Sequence, residues 1–223
     1  MKNLIFLESV KKMPLMNLPV RSTVILLGEA KVLLSPGSNL TSTELQKLGN
    51  ITDIVAPSLF HCGGVPLAHS IFPKAKIWAP TDAKERKPQI SWTHELSKDT
   101  WPYQGQLTCI PIKGTPKINE FVFIHNESKS LIITDLCFNL TDAKGLGAWI
   151  ILNLFDTYRK FAMSKFFLKF AEDKLAFEQS LEEILSHNFE NIVVSHGANI
   201  IGGGHKKLLQ CFQERGLCAK HSF

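Results

Sequence analysis

Length, composition and charge place this chain among ordinary globular proteins and exclude several classes of function. It has 223 residues, of which 44% are hydrophobic and 20% charged, which is enough for one sizeable core. The formal net charge is +5, but the basic residues are scattered and form no long run. The longest apolar stretch, Leu146 to Phe155, is about half the roughly 20 residues that span a bilayer. We expect one domain over residues 1–223, no nucleic-acid partner and no transmembrane segment.

The N-terminal segment and the cysteines favour a cytoplasmic location. A short apolar stretch at the start is followed by Lys11 and Lys12, the reverse of the order in a signal peptide, and no small-residue cleavage site follows. The five cysteines form an odd set without a C-x-x-C pair, so neither a disulfide framework nor a structural zinc site is indicated. We expect reduced thiols, most of them buried as small apolar side chains.

The first part of the chain is predicted to consist mainly of strands. Aliphatic runs over 22–27 and 31–35 flank Gly28-Glu29 and predict a hairpin. Thr41 and Glu44 form a capping box, which starts a short helix that ends near Gly49. The segments that follow are a strand at 53–56, a helical turn or two over 66–72, a strand at 75–79 and a long surface loop over 81–104.

The later part of the chain alternates strands with longer helices. Apolar residues recur at helical spacing from Trp149 to Ala162 and again between Asp173 and His187. Three strands are predicted before these helices, at 107–112, 120–125 and 130–134, and a strand at 191–195 with a helix at 204–215 after them. Paired strands with helices before, between and after them indicate a layered α/β sandwich.

Three of the predicted strands lead to a potential metal ligand. The strand at 53–56 leads to His61, the strand at 130–134 to Asp135, and the strand at 191–195 to His196. Side chains at the tips of adjacent strands converge on one point in many active sites, so we expect these three to meet. Taken singly, each also fits an ordinary structural role as a junction histidine, a capping carboxylate or a hydrogen-bonded loop residue.

Four short motifs, in order along the chain, resemble the metallo-β-lactamase superfamily. They match the end of its H-x-H-x-D-H signature with the following Gly-Gly, its G-H-T-P turn, the strand before its bridging aspartate and its last histidine motif. The matching segments are Phe60 to Gly64, Lys113 to Pro116, Leu131 to Asp135 and Val194 to Gly197. The runs Ile54-Val55-Ala56-Pro57 and Asn119 to Phe123 are closer still to the DUF4336 branch, a domain of unknown function. The resemblance implies an α+β fold, a four-layer αββα sandwich with a helical insertion at about 144–188.

Departures from the superfamily pattern imply a degenerate metal site. Ala56 and Ser58 stand where the signature has its first two histidines, Phe60 where it has the aspartate, and Gly114 where the turn has a histidine. The first metal position has therefore lost all three histidines. The second retains His61, Asp135 and His196, which is enough to bind one divalent ion such as Zn, Fe or Mn with open positions. A metal-free protein stays open as the alternative.

The segment from Lys144 to Phe170 is unusually rich in large apolar residues, with lysines and Arg159 interleaved. Burial against the sheet explains such a pattern most simply. Contact with a membrane surface, the lining of an apolar acyl pocket and a dimer interface are the alternatives.

Two functions from different classes stay open. The first is a mononuclear metal-dependent hydrolase that acts on an ester, lactone, thioester or phosphoester of a small-molecule substrate. The second is a catalytically inactive member of the fold that serves as a binding or protein-interaction module. No residue is assigned as a general base in either case.

Overall fold

The computed structural model describes residues 1–218, in which strands and helices alternate along the chain. The strands are β1 (Leu4–Lys12), β2 (Asn17–Leu27), β3 (Ala30–Leu34), β4 (Asp53–Val55), β5 (Lys76–Ala79), β6 (His94–Glu95), β7 (Leu107–Pro111), β8 (Phe121–His125), β9 (Ser130–Ile133), β10 (Phe138–Asn139), β11 (Phe161–Ala162) and β12 (Asn191–Val194). The helices are α1 (Ser42–Gln46), α2 (Val65–Ile71), α3 (Ala83–Arg86), α4 (Leu146–Leu154), α5 (Lys165–Leu168), α6 (Lys174–Leu185) and α7 (Gly204–Gln213).

Two main sheets contain most of the strands. The first has the order β1-β2-β3-β4-β5-β6, with antiparallel pairing as far as β3 and parallel pairing from β3 to β6. The second has the order β12-β9-β8-β7, in which β12 runs parallel to β9 and the other pairs are antiparallel. A separate two-stranded pair joins β10 to β11.

The alternation of side chains along each strand divides the core into layers. In β3, Leu33 packs with residues of α1 and α2, whereas its neighbours Val32 and Leu34 pack between the two sheets. In β9, Ile132 faces the first sheet, while Leu131 and Ile133 pack with α6 and α7. Helices therefore cover the outer surface of both sheets, and the predicted four-layer αββα sandwich is confirmed. Because both faces of these strands are buried, their sequences are continuous apolar runs.

Most of the predicted elements are present with slightly different ends. The hairpin around Gly28 is formed by β2 and β3, and the capping box of Thr41 and Glu44 starts α1. Asp173 caps α6 by accepting a hydrogen bond from the Ala176 amide. All five cysteines are free and buried, as expected from the sequence. None of the helices in residues 1–218 is long and apolar enough to cross a membrane.

The long helical pattern after Leu146 is the main error of the element prediction. Helix α4 ends at Leu154, because Asp156 and Arg159 adopt left-handed backbone conformations with φ of 55° and 52°. The chain turns there and returns as β11 and α5. The Arg215 guanidinium stabilises the turn, since it donates to Asp156 Oδ2 over 2.6 Å and to the Asp156 carbonyl over 2.8 Å.

Two further segments differ from the prediction. Strand β1 was not predicted, because its mixture of half-exposed apolar and charged residues is typical of an edge strand and gives a weak pattern. The segment expected to be a surface loop contains α3 and β6, and its Trp101 lies in the core between the sheets. The Trp101 indole donates to the Leu107 carbonyl over 2.7 Å, which satisfies its polar atom inside the core.

Arg21 connects the two sheets at one edge. It lies on β2, and its side chain donates to the Val194 carbonyl at the end of β12 over 2.6 Å. The same guanidinium reaches the Asn199 side chain and forms an ion pair with Glu8 over 2.6 Å. The Arg21 amide also donates to the Ser195 carbonyl over 2.8 Å. These contacts fix the end of β12, where the chain leads to His196.

We predict that Arg21→Met lowers the free energy of unfolding by about 2 to 3 kcal/mol, because a buried carbonyl and a side-chain amide lose their donor. Chemical denaturation monitored by fluorescence measures this change. Arg86→Met is the matched control, because Arg86 is 45% exposed and pairs with Asp82 at the surface. The control variant should lose less than about 1 kcal/mol. Equal losses in the two variants would contradict a role for Arg21 in joining the sheets.

Candidate metal centre

The three predicted ligands lie beyond the carboxyl ends of three strands and meet between the two sheets. His61 follows β4 of the first sheet, whereas Asp135 and His196 follow β9 and β12 of the second. One ligand atom of each residue lies within 4.8 Å of the others. The sandwich thus brings together the residues that the sequence predicted to converge. Because β9 and β12 are parallel neighbours, Asp135 and His196 leave the sheet at the same edge.

Asp135 lies between the two imidazoles. Its Oδ2 is 3.2 Å from His61 Nε2, and its Oδ1 is 3.4 Å from His196 Nε2. Donor atoms bound to one tetrahedral zinc ion at about 2.1 Å lie about 3.4 Å from one another. The two separations between carboxylate oxygens and imidazole nitrogens therefore match those of ligands that share one divalent ion.

The histidines are oriented by contacts on their far nitrogens. His196 Nδ1 lies 2.8 Å from the Pro19 carbonyl, which only accepts hydrogen bonds, so Nδ1 carries the proton and Nε2 is directed towards Asp135. Phe138 stacks on the His196 ring with a centroid distance of 5.0 Å. His61 Nδ1 lies 2.6 Å from Ser35 Oγ. Backbone and hydroxyl partners of this kind are the usual supports of metal-binding imidazoles.

The electrostatics of the site depend on the buried Asp135 carboxylate. Burial alone would raise the pKa of Asp135, but the two histidines outweigh it and lower that pKa well below its usual value. Burial lowers the pKa of His61, and the negative charge of Asp135 more than reverses this, so the pKa is raised. Asp135 Oδ2 is buried, and the geometry of its contact with His61 leaves it without a hydrogen-bond partner. A buried oxygen of this kind is costly unless a cation or donor reaches it.

Glu120 is a buried residue of the site that the sequence did not reveal. Its Oε1 accepts from the Thr134 amide and hydroxyl, both over 2.8 Å, and from the Asp135 amide over 3.1 Å. Burial raises the pKa of Glu120 to about 7, and the charge of Asp135 adds to the shift. Glu120 directly precedes the apolar strand β8, and a carboxylate at the start of a strand is usually a surface residue without a special function. Its position thus gave no specific signal.

The four positions at which the resemblance implies lost metal ligands hold Ala56, Ser58, Phe60 and Gly114. Ala56 and Ser58 are buried, and Phe60 is 52% exposed beside His61. Gly114 has φ of +76°, and a Cβ built on it would lie 2.2 Å from the Asp173 carbonyl oxygen. The Gly114 carbonyl also accepts from the Glu172 amide over 2.8 Å. The start of α6 therefore occupies the space that a histidine at position 114 would need.

A cavity of about 380 Å³ opens over the three ligands. Among its lining residues are Ser35, Phe60 and the basic residues Lys11 and Lys87. Asp135 is the one carboxylate among the described residues that line it. A substrate bound here would contact the candidate ligands in a surrounding that carries positive charge.

Comparison with known proteins identifies the fold. No protein-family model and no curated protein matches the chain. The structure is similar to a metallo-β-lactamase from Pontibacter korlensis, with a TM-score of 0.65 and 15% sequence identity. The superposition covers 96% of this chain and 96% of the other. The superposition with the mono-zinc form of the metallo-β-lactamase FIM-1 from Pseudomonas aeruginosa covers 96% of this chain and 93% of the other, with a TM-score of 0.66 and 15% sequence identity. The superposition with a metallo-β-lactamase from Hirschia baltica covers 95% of this chain and 94% of the other, with a TM-score of 0.63 and 13% sequence identity. The chain therefore has the metallo-β-lactamase fold.

We predict that Glu120→Ala lowers the free energy of unfolding by about 3 kcal/mol, because two amides and one hydroxyl lose their buried acceptor. Glu120→Gln keeps an oxygen for the same donors and should lose less than about 1.5 kcal/mol. Urea denaturation of the two variants and the parent protein gives both values. If the two substitutions were equally destabilising, Glu120 would not act as the acceptor that fixes the Thr134-Asp135 backbone.

Proposed function

We propose that this protein is a mononuclear metal-dependent hydrolase that acts on an ester, lactone, thioester or phosphoester. The observation that carries the proposal is the buried Asp135 Oδ2, which has no hydrogen-bond partner and lies 3.2 Å from His61 Nε2. A divalent cation bound between Asp135 and the two imidazoles would neutralise this oxygen.

The residues of the centre divide into those that bind and those that orient. His61, Asp135 and His196 would hold one ion, for which Zn, Fe and Mn are the candidates. Such an ion lowers the pKa of a bound water and polarises a carbonyl or phosphoryl oxygen. Ser35 and the Pro19 carbonyl keep the imidazoles in place through their Nδ1 atoms. Lys11 and Lys87 would attract a substrate that carries negative charge.

Two observations support a site for one metal ion instead of two. Position 114 has no room for a side chain, and position 60 holds a phenylalanine instead of a carboxylate. The metallo-β-lactamase FIM-1 from Pseudomonas aeruginosa has a mono-zinc form, so a related fold accommodates one zinc ion. The assignment to the DUF4336 branch belongs to the same proposal and rests on the sequence motifs.

A non-catalytic binding module is the second candidate. The outer face of α4 favours it, because Leu146, Trp149, Ile150 and Leu154 are exposed there. A surface of this kind suits a protein partner or a membrane surface. Metal binding without turnover of any ester, lactone, thioester or phosphoester would support this candidate over the hydrolase.

We predict that the parent protein binds about one equivalent of zinc after supplementation and dialysis, and that its melting temperature rises on zinc addition. His61→Ala and His196→Ala should each retain less than about a tenth of that metal, because two ligands hold a divalent ion poorly. Elemental analysis and thermal unfolding measure the two effects.

His69→Ala is the matched control, because His69 lies on α2, is half-buried and is not one of the three clustered residues. It should retain the zinc content of the parent protein. A parent protein that binds no zinc, iron or manganese under supplementation would rule out the metal-dependent enzyme.

A further inference from the structure

A second cavity, of about 230 Å³, adjoins the candidate metal centre and is almost wholly apolar. Its walls come from the β1–β2 turn, α4, α5 and the segment around Phe138. Met13, Leu18, Phe60 and Asp135 line both this cavity and the one over the ligands. The apolar space is therefore continuous with the centre, and Asp135 stands at the boundary between them.

Apart from Asp135, the polar side chains in the wall of this apolar cavity have hydrogen-bond partners within the protein. The Ser164 hydroxyl accepts a hydrogen bond from the Phe166 amide over 3.0 Å, and the Thr157 hydroxyl lies 3.5 Å from the Leu152 carbonyl. Asp135 is the one ionisable group among the lining residues. The wall offers a ligand dispersion contacts and apolar surface, and polar recognition is confined to the end nearest the metal centre.

The fold builds this cavity through two local features. The turn at Asp156 and Arg159 brings α5 back against α4, so that the rings of Phe155 and Phe166 lie 5.2 Å apart. Further aromatic contacts join Phe166 to Phe170 at 4.9 Å and Phe170 to Phe60 at 5.9 Å. A row of aromatic rings therefore leads from α4 to the residue before His61.

We propose that the substrate is a medium-chain acyl ester or thioester whose hydrocarbon chain fills the apolar cavity. The proposal rests on the hydrolase function above and names its substrate class. At about 30 Å³ for each carbon, close to the share of one water molecule, the cavity holds a chain on the order of eight carbons. The carbonyl end of such a chain lies beside Asp135, where the candidate ligands meet. Lactones and phosphoesters without an acyl chain would leave the cavity unfilled.

The reaction balances as a simple hydrolysis. Water forms a new C–O bond to the acyl carbon, and the bond from that carbon to the leaving oxygen or sulfur breaks. A proton of the water passes to the leaving atom, which gives a fatty acid and an alcohol or thiol. No oxidant, reductant or second substrate is needed.

Chain binding is tested first without metal and without turnover. Primary alcohols from butanol to dodecanol are titrated calorimetrically into chelator-treated full-length protein. Alcohols are neutral, so the Asp135 charge does not repel them. The affinity should rise about fourfold for each added methylene and level off near eight carbons, because the cavity is then full. An affinity that shows no dependence on chain length would overturn the proposal.

Neighbouring isoleucines on α4 provide a matched pair of variants. Ile151 lines the cavity, whereas Ile150 is 47% exposed and does not. Ile151→Trp fills part of the space and should weaken octanol binding at least tenfold, while Ile150→Trp should leave it unchanged. Phe166→Ala is a second variant that enlarges the cavity at a half-exposed position, and it should move the preferred chain length upward. If the two tryptophan variants bound octanol equally, the chain would not occupy this cavity.

Turnover then separates this proposal from the hydrolase proposal. Zinc-loaded protein is assayed with p-nitrophenyl esters from acetate to dodecanoate, and kcat/KM should peak near octanoate. Hydrolysis with no preference for chain length would support the hydrolase proposal and contradict the proposal of a medium-chain acyl substrate. Length-dependent alcohol binding without hydrolysis of any ester, lactone, thioester or phosphoester would support the acyl-binding cavity and contradict the hydrolase proposal.

Discussion

The Asp135 carboxylate, buried between two imidazoles, is the constraint on which the rest of the site depends. Removing a carboxylate from water is costly unless charges and donors replace the water. Here the two histidines lower the pKa of Asp135, and Glu120 accepts a hydrogen bond from the Asp135 backbone amide. Oδ2 still lacks a hydrogen-bond partner. A cation between the three side chains would compensate this oxygen, which is the physical basis of the proposed metal site.

The sandwich explains why three distant residues reach one point. His61 belongs to the first sheet, and Asp135 and His196 to the second, so the centre forms only when the two sheets pack together. Arg21 and the Pro19 carbonyl link β2 to the segment around His196. The same packing leaves an apolar cavity beside the centre, bounded by α4 and α5. The candidate metal centre and the apolar cavity thus both result from the way in which the layers pack.

The sequence predicted both the fold and the convergence of His61, Asp135 and His196. Buried strands were recognisable as continuous apolar runs, and each of the three residues follows the end of such a strand. Glu120 could not be found in this way, since its role depends on two amides brought to it by another strand. The helix predicted through Ala162 was wrong for a similar reason. Its apolar spacing continues past Leu154, but the Arg215 contacts that stabilise the turn at Asp156 come from the far end of the chain.

X-ray absorption spectroscopy at the zinc edge of the zinc-loaded protein tests the central claim most directly, because it reports which atoms surround the ion. The account predicts two imidazole nitrogens and carboxylate or water oxygens at about 2.0 to 2.2 Å. A His196→Ala variant prepared in the same way should show less than about a tenth of the zinc absorption, because two ligands hold the ion poorly. A spectrum dominated by sulfur, or one without imidazole scattering, would contradict a centre built from His61, Asp135 and His196.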